Sequence, residues 1–316
     1  MFHRTVYGSL SAFVVVVLGA SAVQCSSSSR DGYEAPPAPD AAPQQQLISP
    51  VDAAAEANVA DGIDQECSGE NKQIYVLTFD PDAIYRFDPA SLTFALVGKL
   101  DCPYRPNSMA IDRRGYAWVN FRGSSGTVSG LVFNVRLSDP QVGTQTGGLL
   151  QCKEVVLNNV PTGGLRTFGM GFSKNDSSTG ETLFVHPSNN LFRIDPMTRD
   201  VSRVGRTSFL GNAELTGTGD GKLFGYSPTN GVIARFDKTT GASLETYRTS
   251  AVNGGAYAFA HWGGDFWIFL RPLDGTTSTV YRYSPATDET TIAIEDTGLA
   301  IAGAGSSTCA PFKPVQ

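Results

Sequence analysis

Ile84-Tyr85-Arg86-Phe87-Asp88-Pro89-Ala90-Ser91 decides the fold, because the stretch recurs. It returns as Leu191-Phe192-Arg193-Ile194-Asp195-Pro196-Met197-Thr198, as Ile233-Ala234-Arg235-Phe236-Asp237-Lys238-Thr239-Thr240, and as Val280-Tyr281-Arg282-Tyr283-Ser284-Pro285-Ala286-Thr287. Each copy alternates β-branched or aromatic residues with Arg and then turns. An Asp at that point accepts backbone N–H bonds, and a following Pro presets φ. The copies at Asp195, Asp237 and Ser284 lie roughly forty to fifty residues apart, the length of a four-stranded propeller blade. The step from Asp88 to Asp195 is about double, so a divergent copy is expected between them. Leu131-Val132-Phe133-Asn134-Val135 followed by Asp139-Pro140 fills that place, with 153–157 as its next strand.

Working outward, each unit gains an inner strand rich in Gly and Ala: 108–112, 167–172, 213–217, 257–262 and 300–305. Small residues are expected where blades crowd an axis. The first strands, from Ile74 onward, lack an inner strand before them, and 300–305 lacks outer strands after it. The two fragments complete one another. The sequence therefore predicts an all-β, five-bladed β-propeller over 67–316, with six blades as the alternative, closed by pairing of its terminal strands. The recurring stretch is read as an outer strand, with its Arg residues on an outer face beside acidic neighbours.

Five cysteines are present. Setting Cys25 aside leaves Cys67, Cys102, Cys152 and Cys309, an even number that permits two disulfides in three pairings. The strand order suggests one of them. Cys67 precedes the first strand and Cys309 follows the last, while Cys102 and Cys152 belong to neighbouring units.

Residues 1–24 read as a signal peptide: His3 and Arg4 precede an apolar run over 10–23 that is short for a membrane span. Two processing routes stay open. Ala20-Ser21-Ala22 suits ordinary signal cleavage, whereas Ala22-Val23-Gln24-Cys25 resembles a lipobox with Cys25 as the lipidated N-terminus. Ser rather than Asp after Cys25 points to the outer membrane if one exists, with the periplasm or secretion as alternatives. Residues 25–66, rich in Ser, Pro, Ala and Gln, read as a disordered tether. The net charge is -6 and no Lys/Arg block occurs, which excludes nucleic acid and an anionic membrane surface as partners. Membrane contact is expected only through the lipid, and the chain is expected to be a monomer.

Pro106-Asn107-Ser108-Met109-Ala110-Ile111-Asp112-Arg113-Arg114-Gly115-Tyr116-Ala117-Trp118-Val119 resembles the blade core of NHL and gluconolactonase-like propellers. The region 68–312 as a whole is similar to bacterial β-propeller lipoproteins. The resemblance implies the fold. In lactonase-like members a Glu, Asn and Asp set holds a divalent cation at the axis, and here Glu214 alone is an acidic residue near the start of an inner strand. No cofactor is therefore expected, and a divalent cation at the axis is the one alternative.

Candidate ligand-binding residues lie on loops that lead into the inner strands: Tyr104, Arg105, Asn107, Arg166, Asn212, Glu214, Asn253 and Tyr257. Aromatic, amide and Arg groups at a concave mouth suit a small polar, carbohydrate or protein ligand. Glu214 is the best single candidate for acid/base work, although a solvated Glu in a wet channel is the plainer expectation. Five-bladed glycosidases bring two or three carboxylates together, and one is found here. His186 and His261 read as polar residues at strand ends. Asp112 and Asp220 read as turn formers, and Gly217-Thr218-Gly219-Asp220-Gly221 as a hairpin turn. No catalytic residue is assigned. The leading function is non-catalytic binding or scaffolding at the cell envelope, and the alternative is a hydrolase or metal-dependent lactonase-like enzyme at the axial mouth. Mass spectrometry of the mature protein is expected to find a lipid-modified Cys25 at the N-terminus; an unmodified chain beginning near Val23 would overturn the anchor.

Overall fold

The computed structural model describes residues 67, 69–122, 131–137, 148–162, 165–177 and 179–315. The expected signal segment, Cys25 and the expected tether lie outside the described residues, as does the turn expected at Asp139-Pro140. The described strands form five sheets, the five blades of a β-propeller.

Blade 1 contains β1 (Ile74–Thr78), β2 (Ala83–Asp88) and β3 (Thr93–Asp101). Blade 2 contains β4 (Arg105–Ile111), β5 (Tyr116–Arg122) and β6 (Val132–Arg136), followed by β7 (Gly148–Gln151) and β8 (Lys153–Glu154). Blade 3 is β9 (Gly169–Lys174), β10 (Glu181–His186), β11 (Asn190–Ile194) and β12 (Val201–Arg206). Blade 4 is β13 (Glu214–Gly217), β14 (Leu223–Ser227), β15 (Val232–Phe236) and β16 (Ser243–Arg248). Blade 5 is β17 (Gly254–Trp262), β18 (Asp265–Pro272), β19 (Thr279–Ser284) and β20 (Glu289–Ile294). The last strand, β21 (Ile301–Ser306), returns to blade 1 and pairs antiparallel with β1, with Ile74 opposite Ser306 and Val76 opposite Ala304. The split first blade is thus completed as the sequence predicts.

Two details differ from the sequence reading. The recurring stretch forms β2, β11, β15 and β19, which are third from the axis and not outermost. Its Arg residues divide accordingly: Arg235 pairs with Glu245 at 3.1 Å and Arg282 with Asp265, whereas Arg193 donates to Ser202 Oγ at 2.9 Å. The expected strand over 153–157 is shortened to β8, and β7 before it leaves blade 2 altogether. β7 pairs in parallel with β3 and extends blade 1 to five strands. Nothing in a local pattern signals a parallel addition to a different blade.

The turn chemistry matches its reading. Asp88 Oδ1 accepts the Ala90 N–H at 2.9 Å, Asp195 Oδ1 the Met197 and Thr198 N–H groups, and Asp237 Oδ1 those of Thr239 and Thr240. The hydrogen bonds from Thr239 hold the Asp237 carboxyl down at about 2. Asp112 Oδ1 likewise accepts from Arg114 and Tyr116.

The core lies between blades. Five apolar clusters form, each shared by two neighbouring blades. Phe87 of blade 1 shows how. Its ring meets Phe269 of blade 5 edge-on at 5.4 Å and Trp267 at 5.3 Å. Burying one such ring is worth about 1.5–3 kcal/mol. Nearer the axis the inner strands touch backbone to backbone. A Cβ on Gly169 would overlap Ala213 O and the Glu214 Cα, and one on Gly217 would overlap Phe172 O. Only glycine permits that approach.

Both disulfides form as the strand order suggested. Cys67 and Cys309 have Cα atoms 5.0 Å apart and join the two ends of the ring. Cys102 and Cys152, 5.4 Å apart, lie one residue beyond the paired Asp101 and Gln151 and fasten β7 to blade 1. By the loop-entropy relation for a closed loop of 242 residues, the Cys67→Ser/Cys309→Ser double variant is expected to lose about 5.5 kcal/mol of unfolding free energy. Urea unfolding checks this; a loss below about 1 kcal/mol would show that β21–β1 pairing closes the ring unaided.

Candidate functional site

In an antiparallel blade the inner strand begins where the second strand ends. The loops entering the inner strands and the ends of the second strands therefore share one mouth of the ring. A cavity of about 370 Å³ opens there. Its charged lining is Asp80, Arg105, Arg122, Glu214 and Arg271, with Phe79, Asn107, Asn212 and Tyr257 among the remainder.

The opposite end is covered by the C-terminal segment. Thr308 Oγ1 donates to Glu181 of blade 3 at 2.8 Å, and Pro311 O accepts the Gly263 N–H of blade 5 at 2.7 Å. Burial raises the Glu181 carboxyl to about 7, opposed by the Arg113 N–H and the Thr308 hydroxyl.

Glu214 forms part of the floor of the mouth. It opens β13 of blade 4, and its Oε2 accepts a hydrogen bond from Ser108 Oγ of blade 2 at 2.7 Å. Those blades are not neighbours: blade 3 lies between them and presents glycines there. The Glu214 side chain thus reaches across the axis. The sequence suggested a solvated carboxylate, but the residue is 5% exposed. Burial pushes its carboxyl well above the usual range, and the Ser108 hydrogen bond only partly opposes this.

Five of the eight sequence candidates line the cavity: Arg105, Asn107, Asn212, Glu214 and Tyr257. Three do not. Tyr104 packs near Phe133, with ring centroids 6.2 Å apart. Arg166 gives its carbonyl to Asn120 Nδ2, and Asn253 adopts a left-handed φ of 62° and donates its N–H to Pro228 O.

Several lining groups are already committed to joining blades. Asn107 Nδ2 donates to Phe168 O, at the entry to blade 3, at 3.4 Å and to Asn120 Oδ1 of its own blade at 3.1 Å, and its Oδ1 accepts from Arg122 Nε at 3.0 Å. Asn212 Oδ1 accepts the Ser188 N–H at 2.7 Å, and Nδ2 donates to Thr167 O at 3.2 Å. Tyr257 donates its hydroxyl to Asn212 O at 3.0 Å. Burial, reinforced by Glu214, raises the Tyr257 phenol, and Arg122 opposes it, which places both groups near that ring.

Sequence reasoning missed Phe79, Asp80, Arg122 and Arg271. Arg122 and Arg271 stand at the ends of the second strands β5 and β18, and Phe79 and Asp80 directly follow β1. A signal was available: a charged residue ending a second strand must face the same mouth as a loop entering an inner one.

His186 and His261 are both buried. His186 Nδ1 accepts the Ala213 N–H at 3.2 Å, which places its proton on Nε2, 2.7 Å from Thr207 Oγ1. The His261 C=O accepts from Ser306 Oγ at 2.8 Å, and its N–H donates to Thr216 Oγ1 at 3.2 Å. Burial lowers both rings to about 4.

The mouth does not fit a divalent cation. Its buried carboxyl favours the protonated form, both amide oxygens already accept hydrogen bonds, and Arg122 and Arg271 add positive charge. Calcium or magnesium needs several free anionic or carbonyl oxygens.

The sequence matches no protein-family model and no curated protein. Among solved structures, the chain is similar to selenomethionine-substituted virginiamycin B lyase from Staphylococcus aureus, at 14% identity and a TM-score of 0.39 over 70% of each chain. A likeness of that size supports no argument about activity.

The protonation of Glu214 has a measurable sign. A carboxyl whose pKa is raised on folding loses stability as pH climbs above its unfolded value, because only the unfolded chain ionises freely. Glu214→Gln keeps an acceptor for Ser108 and removes that loss. The variant is expected to gain on the wild type as pH rises above about 4.5 in urea unfolding, and to stop gaining once the folded carboxyl ionises. Parallel curves would mean that Glu214 is ionised in the fold.

Proposed function

We propose that the protein is an exported propeller, tethered to the cell envelope through Cys25, that binds a small polar ligand at its axial mouth without converting it. The observation that supports this reading is the mouth itself, a concave cavity of about 370 Å³ with the opposite end of the ring covered. That volume falls within the range of small-molecule sites. The two disulfides are compatible with an extracytoplasmic location.

A hydrolase or lactonase-like enzyme is the second reading, and one observation favours it. Glu214 is a buried carboxyl with a raised pKa at the cavity floor, the environment of a general acid. The other carboxylate in the mouth, Asp80, is exposed and committed to an ion pair with Arg105 at 2.6 Å, so no second buried carboxyl joins Glu214 there. The binding reading is therefore preferred.

A thermal-shift screen of sugars, short peptides and organic acids, followed by mass spectrometry of each compound that binds, separates the two. The expected result is at least one compound that raises the Tm and is recovered unchanged after prolonged incubation. Conversion of the compound, abolished in Glu214→Gln, would establish the enzyme instead, and a screen without any binder would reject the binding reading.

A further inference from the structure

The cations of the mouth are out of balance, and this points to the charge of the ligand. Arg105, Arg122 and Arg271 all line one cavity of a chain whose net charge is -6. Arg105 and Arg122 stand directly opposite each other across β4 and β5. Like charges at that position repel. The Arg105 and Arg271 guanidinium groups both lie over the Phe79 ring, 5.0 and 4.9 Å from its centroid. Cation–π contact holds each of them but does not neutralise either.

Among the described residues, a carboxylate pairs with one of the three. Asp80 pairs with Arg105, and Asp82 also feels the Arg105 charge. Among the described residues no carboxylate forms an ion pair with Arg122 or Arg271. Arg122 spends Nε on Asn107. Arg271 Nε is buried with no hydrogen-bond partner. Burial disfavours the charged form of Glu214, which makes it a weak counter-charge for these cations.

Resting on the binding reading above, we propose that the mouth takes an organic anion: a sugar- or peptide-sized molecule whose carboxylate or phosphate seats against Arg122 and Arg271. Guanidinium groups suit both head groups, since each can be held by two parallel N–H bonds. The cavity is several times larger than a bare phosphate, so an attached organic body has room beside Tyr257 and Phe79.

Chemically matched pairs test the inference by calorimetry at constant ionic strength. Glucuronate and glucose 6-phosphate are compared with glucose, and N-acetylalanine with its amide; malonate and inorganic phosphate are compared with chloride. The wild type is expected to bind at least one charged member more tightly than its neutral twin. Arg271→Gln and Arg122→Gln should each weaken that binding at least tenfold, whereas Arg193→Gln, in blade 3 away from the mouth, should leave it unchanged. A better response to the carboxylates or to the phosphates would identify the head group. If a neutral twin binds equally well and is indifferent to Arg271→Gln, the anion inference fails while the binding reading stands. If malonate and phosphate act no differently from chloride and no pair member binds, both fail.

Discussion

Five inner strands have to meet around one axis, and with so few blades they meet almost without room for side chains. That crowding governs the rest of the structure. It selects glycine at Gly169 and Gly217, where a Cβ would strike the backbone of the next blade. It also displaces much of the apolar core outward, into five clusters between blades, because rings such as Phe87 and Tyr283, on third strands, fit where the sheets begin to diverge. A larger ring would leave a channel. Here one side chain, Glu214, spans the axis from blade 4 to Ser108 of blade 2.

Crowding also gives polar residues near the axis structural work. One position late in the second strand illustrates this. Asn120 in blade 2 accepts the Phe168 N–H, His186 in blade 3 accepts the Ala213 N–H, and Tyr226 in blade 4 donates to Ala251 O. Each bond ties a blade to the segment that leads into the next inner strand. Three different side chains thus solve one problem: satisfying a backbone group exposed where the chain crosses between blades. A histidine found in this role is an inter-blade clasp, and its neutral ring follows from burial and from the N–H that it must accept.

The fold was legible because its information is repeated. A blade needs a turn after its third strand each time, so Asp88, Asp195 and Asp237 recur and fix the blade count. Ring closure was legible for a related reason: unmatched strands at the two ends of the chain have only each other. The parallel strand β7 was not, since its partner is β3 of another blade and no local pattern marks that choice. The site was half legible. Residues on loops entering the inner strands were found, and several of them, such as Asn107 and Asn212, prove to be occupied in holding blades together. Arg122 and Arg271 were overlooked because they end strands that read as core, in Ala117-Trp118-Val119-Asn120-Phe121 and in Phe266-Trp267-Ile268-Phe269-Leu270.

The mouth depends on closure as much as the core does. Phe79 and Asp80 follow β1 of blade 1, Arg105 and Arg122 belong to blade 2, and Arg271 belongs to blade 5. Blade 5 is held against blade 1 by the pairing of β21 with β1, by the Cys309–Cys67 bond and by the packing of Phe87 on Phe269 and Trp267. In an open ring Arg271 would lose the Phe79 face, and the positive charges would separate. The repulsion among these guanidinium groups acts against closure, while the β21–β1 pairing, the disulfide and the Phe87–Phe269–Trp267 contact act for it. An anion bound among the arginines would shift that balance toward the closed ring, so binding at the mouth and stability of the propeller are two expressions of one equilibrium.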